Sequence, residues 1–199
     1  MQSIAGIVLA AGASSRMGED KALLRWGNYT FLEHLMTALK TAGAAPLRAV
    51  LGANAAEVQK RIHYGAGEVV VNPAWDRGML SSLLAGLDSL PREVEAAVIC
   101  LVDHPCVSSR LIQTLLERFR ASRKPIVLPT YQGRRGHPVL FAATLFEELR
   151  TAPPEVGARH VVRQHAAEVL EVPTDEEGVV LNINDPAAYE KVLQMSPPG

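Results

Sequence analysis

The chain has 199 residues, 48% of them hydrophobic and 21% charged, with a formal net charge of −1. That length and composition allow a substantial core, and the balanced charge argues against a general nucleic-acid binder, which carries a basic stripe. No apolar run approaches the length of a membrane span, and the first residues carry no basic flank of a secretory signal.

Cys100 and Cys106 fit no zinc spacing, so a reduced, cytoplasmic protein is expected. Cys100 reads as a small core residue. Cys106 is a candidate for mild reactivity, given an accessible and electropositive setting.

In chain order, the apolar run 4–9 predicts a buried strand. Residues 30–42 predict a helix with Phe31, Leu32, Leu35, Met36 and Leu39 on one face, ending before Gly43. A short strand over 48–51, a helix over 55–62 and a strand over 68–71 follow. A helix over 79–90 is stopped by Pro91. Residues 96–102 form the most hydrophobic strand, which reads as central because strands buried on both faces show unbroken apolar runs.

A helix over 108–121 is capped by Ser108 or Ser109, and a strand over 125–129 comes next. Residues 131–137 suit a loop or a hairpin turn, and 139–141 a strand of antiparallel sense. Helices over 143–149 and 158–165, strands over 168–172 and 179–183, and a closing helix over 186–193 complete the pattern. One domain over 1–195 is expected, with a disordered tail at 196–199. The alternation of strands and helices predicts an α/β fold, a mostly parallel Rossmann-like sheet with helices on both faces.

In such a sheet, ligands bind beyond the carboxyl ends of the strands. The first loop lies there: Leu9-Ala10-Ala11-Gly12-Ala13-Ser14-Ser15-Arg16-Met17-Gly18-Glu19-Asp20-Lys21. Glycines let backbone N–H groups approach a ligand, and Arg16 and Lys21 bring positive charge, a mixture suited to polyphosphate. It is not a P-loop, because Glu19 and Asp20 separate Gly18 from Lys21, and it is not a GxGxxG turn. ATPase and dehydrogenase readings lose their main support.

Asp103, in Leu101-Val102-Asp103-His104-Pro105, ends the central strand. From position alone its carboxylate suits a hard cation and a turn cap equally. Gly78-Met79-Leu80-Ser81-Ser82-Leu83 opens a helix whose N–H groups and hydroxyls suit a nucleotide or a simple cap. Gly133-Arg134-Arg135-Gly136-His137-Pro138 suits an anionic substrate or an exposed turn. Asn182-Ile183-Asn184-Asp185-Pro186 offers neutral oxygens or an Asn-rich turn before a helix.

The first loop resembles the LAAGxSxRMGxxK signature of the nucleotidyltransferases that act on molybdenum cofactor. It matches at both glycines, Ser14, Arg16, Met17 and Lys21. The Ala10-Ala11-Gly12 form is closer to the molybdopterin cytidylyltransferase branch than to the guanylyltransferase branch, which resembles LAGG there. Residues 78–83 resemble the family's GMxxSL element, with Ser82 at the motif serine. Residues 133–138 resemble the GxRGHPV element of the cytidylyltransferase branch.

The resemblance implies a three-layer sandwich of the nucleotide-diphospho-sugar transferase type. It implies catalytic roles for Arg16, Lys21 and Asp103, and nucleotide contacts from Leu9, Ala10, Ala11, Gly12, Ser14, Gly18, Gly78 and Ser82. Substrate contacts fall to Arg135, Gly136, His137, Arg159 and Asn184, and Mg²⁺ to Asp103 with Asn182. The cytidylyltransferase branch shows something like DIDTPED where this chain has Asn182-Ile183-Asn184-Asp185-Pro186-Ala187-Ala188. An asparagine oxygen still suits a cation but adds no charge.

The implied reaction moves CMP from CTP to the phosphate of molybdopterin with release of pyrophosphate, with delivery to a client molybdenum enzyme. GTP as donor, a sugar or polyol phosphate as acceptor, and a non-catalytic cofactor-binding role are the alternatives.

Overall fold

The computed structural model describes residues 3–14, 17–62 and 68–195. In chain order it forms β1 (Ser3–Ala10), β2 (Arg25–Trp26), β3 (Tyr29–Thr30), α1 (Phe31–Thr41), β4 (Leu47–Leu51), α2 (Ala55–Arg61), β5 (Val69–Val71), α3 (Met79–Asp88), β6 (Val94–Leu101) and α4 (Ser109–Ser122). Then come β7 (Ile126–Tyr131), β8 (Arg134–Arg135), β9 (Val139–Ala142), α5 (Phe146–Thr151), α6 (Arg159–Gln164), β10 (Val169–Pro173) and α7 (Pro186–Leu193).

The main sheet has the order β10-β7-β9-β6-β1-β4-β5, with β8 paired to β7. β1 runs parallel to β4 and β6, and β9 lies antiparallel between β6 and β7. The strand read as central is central.

The period-2 alternation of a strand explains the two cores. From β1, Ile4 and Val8 face α1 and α4, whereas Ala5, Ile7 and Leu9 face α3 and α5. β6 does the same, with Val98 and Cys100 on one side and Ala97, Ile99 and Leu101 on the other. The helices begin where local chemistry says they should. Thr30 and Glu33 form a reciprocal capping box on α1, and Ser108 caps α4 by accepting from the Leu111 N–H.

Two expectations are corrected and one element is added. Residues 179–183 are not a strand. Glu177–Val179 is a 3₁₀ turn, and the segment spends its backbone bonds elsewhere: the His137 N–H donates to the Val179 carbonyl at 2.8 Å and the Ile183 N–H to the Asp103 carbonyl at 2.8 Å. Val179 and Ile183 are fully buried, so the apolar alternation reflects packing without a ladder. The helix over 143–149 divides into a 3₁₀ turn, Ala143–Leu145, and α5. The β2–β3 hairpin was not anticipated, although Gly27-Asn28 between Trp26 and Tyr29 is a turn signal. The expected disordered tail at 196–199 lies outside the described residues.

Residues 174–184 run as a strap along the loop that follows β6. Glu176 accepts from the Ser108 hydroxyl at 2.6 Å and from its N–H at 3.2 Å. Gly178 presses on the Cys106 backbone so closely that a Cβ would stand 1.9 Å from the Cys106 carbonyl oxygen. Gly178→Ala is therefore expected to cost about 2–3 kcal/mol through backbone displacement. Urea denaturation checks it, and a midpoint unchanged from wild type would contradict the tight contact.

Candidate functional site

A cleft of about 380 Å³ opens at the carboxyl ends of β1 and β6. β1 is the strand from which the sheet extends in both directions, the position where α/β sheets bind ligands. Leu9, Ala10, Ala11, Gly12 and Ser14 line one wall, Trp75, Asp76, Gly78, Met79 and Ser82 another, and Leu101, Val102, Asp103 and Asn184 the floor, with Asp20 and Lys21 beside them.

The first loop is held by its own side chains. The Ser14 hydroxyl oxygen accepts from the Lys21 N–H at 2.9 Å. Asp20 is buried: one carboxylate oxygen caps the Lys21–Leu23 3₁₀ turn through the Ala22 N–H at 2.9 Å, and the other accepts from the Asn54 amide at 2.8 Å. Gly52 lets the loop pass close to β4, since a Cβ there would stand 2.4 Å from the Ala11 carbonyl. Gly12 differs: nothing lies within 4 Å of a Cβ built on it, so its bareness leaves room in the cleft.

On the opposite wall Gly78 has φ +97°, a conformation that only glycine adopts easily. The buried Asn72 amide donates to Ser81 Oγ at 2.9 Å and Ser82 Oγ at 3.0 Å, while its carbonyl oxygen accepts from the Ala74 N–H. Ser82 is thus oriented from behind.

Lys21 Nζ meets two oxygens on the floor, Asn184 Oδ1 at 2.5 Å and Asp103 Oδ2 at 3.5 Å. The Ile183 N–H bond to the Asp103 carbonyl holds the two segments together. A carboxylate and an amide oxygen are hard donors suited to Mg²⁺ or Mn²⁺, with substrate phosphates completing the shell. The described residues contain no group of three or more His, Cys, Asp or Glu able to hold a metal.

Several expected site residues lie elsewhere. Asn182 is exposed and does not line the cleft; Asn184, two residues on, takes that position. Gly18 is exposed in an outer turn with φ +72°. Arg135 is exposed in the β7–β8 hairpin, paired to Glu171 at 2.7 Å. Gly136 packs on Val179, whose carbonyl would stand 2.5 Å from a Cβ. Arg159 is exposed at the start of α6. Arg16 lies outside the described residues. Asp20, Asn72, Trp75 and Asp76 were missed. Asp20 carried a signal, as an N-cap residue before Lys21-Ala22-Leu23; Asn72, Trp75 and Asp76 carried none.

His137 stands behind the Asp103 turn, its ring 4.9 Å from that of His104. Burial, then the charges of His104 and Arg159, push its pKa down to about 4. Burial likewise lowers His104. Cys106 is buried and its thiol is pushed up to about 12 by desolvation, which removes it as a reactive nucleophile.

The chain belongs to the MobA-like NTP transferase domain family, which matches residues 6–169. It is 35% identical over 170 residues to "Nicotine blue oxidoreductase" of Paenarthrobacter nicotinovorans, covering 81% of this chain and 82% of that one. It is 28% identical over 202 residues to a "Probable molybdenum cofactor guanylyltransferase" of Bacillus cereus strain G9842, covering 95% of each. The structure of Rv0371c from Mycobacterium tuberculosis H37Rv superposes with a TM-score of 0.87 at 28% identity over 98% of both chains. A complex of Rv0371c with manganese gives 0.82 at 26% identity, over 96% of this chain and 98% of that one. The fold is the three-layer nucleotide-diphospho-sugar transferase type, and the family is that of the MobA-like NTP transferases.

Two predictions follow from the geometry. Gly12→Ala is expected to leave the melting temperature unchanged and to weaken nucleoside triphosphate binding about tenfold or more, measured by calorimetry; unaltered affinity would place the ligand away from Gly12. For His137, the unfolded chain binds a proton near pH 6.5 that the folded chain refuses until about pH 4. Stability therefore falls as pH drops through that window, by up to about 3 kcal/mol. Unfolding curves at pH 7 and 4.5 are expected to differ less for His137→Gln than for wild type.

Proposed function

We propose that this protein transfers CMP from CTP to the terminal phosphate of a molybdopterin-type cofactor, releasing pyrophosphate. One observation carries it: Lys21, Asp103 and Asn184 meet at the floor of a cleft whose rim at Gly12 is open.

A phosphate oxygen of the acceptor attacks the α-phosphorus, and the bond from that phosphorus to the bridging oxygen breaks as pyrophosphate leaves. No protein nucleophile is required, so positioning and charge stabilisation suffice. Lys21 neutralises charge growing on the α-phosphate and on the leaving group, joined by Arg16. Backbone N–H groups between Gly12 and Ser14 receive phosphate oxygens. Asp103 with Asn184 would hold Mg²⁺, which when bound would supply charge neutralisation. Gly78 and Ser82 face the nucleoside. The acceptor approaches from the side of His137, whose ring lies against His104, the residue after Asp103.

The Ala10-Ala11-Gly12 form favours CTP. The relatives named guanylyltransferase favour GTP as the competing donor. No helix among the described residues is long and apolar enough to cross a membrane, in keeping with a cytoplasmic enzyme that hands its product to a molybdenum enzyme.

Pyrophosphate release, assayed with each NTP and molybdopterin, tests the proposal. CTP is expected to be the best donor; GTP in first place would reassign the base, and no release with any NTP would overturn the reaction. Lys21→Ala and Asp103→Asn are each expected to retain the fold and lose two to three decades of turnover, about 3–4 kcal/mol. Full activity of Asp103→Asn at low Mg²⁺ would remove that carboxylate from the metal.

A further inference from the structure

The two oxygens assigned above to a divalent cation already face a cation of the chain itself. The Lys21 ammonium bonds Asn184 Oδ1 at 2.5 Å and lies 3.5 Å from Asp103 Oδ2. Both charged side chains are largely shielded, with 13% and 20% of their surfaces exposed, so water screens the pair only partly. A divalent ion bound to the same two oxygens would stand within a few ångströms of the ammonium, and like charges at that distance repel.

The backbone of Lys21 is fixed. Ser14 Oγ accepts from its N–H, and Asp20 caps the 3₁₀ turn that it opens. Relief must come from the side chain alone. Its four methylenes give that freedom, and the cleft beside Gly12 gives the space.

We propose that Lys21 is a built-in counter-ion of Asp103 that couples cation binding to triphosphate binding. The incoming triphosphate draws the ammonium off the two oxygens, and the divalent cation takes its place. This deepens the nucleotidyl-transfer reading and rests on it. Asp103 is thereby kept from holding a divalent ion before substrate arrives. By linkage, the triphosphate strengthens cation binding by the same factor that the cation strengthens triphosphate binding.

The test reads Mn²⁺ alone, by the paramagnetic resonance signal of the free ion, against the whole protein without nucleotide. Wild type is expected to bind Mn²⁺ weakly. Lys21→Met is expected to bind it about tenfold tighter or more, within the usual range of coupling between sites. Lys21→Arg, which keeps the charge, is expected to remain weak, and Lys21→Met with Asp103→Asn to lose the gain.

Should Lys21→Met fail to fold by circular dichroism, Lys21→Gln makes the same comparison. A charge-removing variant no tighter than wild type, or a gain that survives Asp103→Asn, overturns the proposal. Equilibrium dialysis of wild type with CTP and GTP separates the two failures. Absence of triphosphate binding defeats the nucleotidyl reading, whereas binding together with an unaltered Mn²⁺ affinity in the variant defeats only the counter-ion.

Discussion

The contact of one ammonium with a carboxylate and an amide oxygen is the constraint around which the molecule is arranged. Lys21, Asp103 and Asn184 come from three distant parts of the chain. Desolvating two largely shielded charges offsets most of their attraction, so the contact is not what holds these parts together. Each part is secured by its own bonds. Ser14 and Asp20 fix Lys21. The end of β6 fixes Asp103, with the Val102 N–H donating to the Leu9 carbonyl and the His104 N–H to the Leu101 carbonyl. The strap fixes Asn184 through the Ile183 N–H, with Gly178 and Glu176 anchoring it upstream on Cys106 and Ser108. Placement, achieved by neutral hydrogen bonds and close backbone contacts, makes the charges useful.

Much of this was legible in the amino-acid order. β1 and β6 are unbroken apolar runs because both faces are covered, and that signal needs no long-range knowledge. The glycine-rich loop and Asp103 stood out because a sheet of this type presents its strand ends to ligands. Asn184 could not be told from Asn182, because the choice depends on the register by which Ile183 binds the Asp103 carbonyl, a contact across eighty residues of chain. Residues 179–183 looked like a strand because Val179 and Ile183 are buried, and burial alone does not specify a ladder partner.

The basic hairpin illustrates the other kind of difficulty. Arginine beside glycine suits an anion, yet Arg135 is paired to Glu171 on β10, which lies on the other side of β7, and a sequence does not reveal which carboxylate lies within reach. Asn54 and Asn72 were silent for a related reason. Their worth lies in satisfying carboxylate, hydroxyl and backbone groups that become buried only when the walls of the cleft assemble.

The C-terminal helix shows how far that assembly extends. Lys21 stands just before β2, and Asn184 just before α7, so each site residue precedes an element. Those two elements dock on one another. Trp26 Nε1 donates to the Met195 carbonyl at 3.0 Å, Tyr189 donates to the Arg25 carbonyl at 2.7 Å, and the Tyr189 ring packs edge-on to Phe31. Val192 is fully buried beneath them. The distance between Lys21 and Asn184 is therefore governed from outside the cleft, by a hairpin near one end of the chain and a helix near the other. Because such contacts close the longest loops in the fold, they carry the largest entropic cost and form only when the sheet between them exists. A cleft completed in this way has its lysine and asparagine in register only in the fully folded protein.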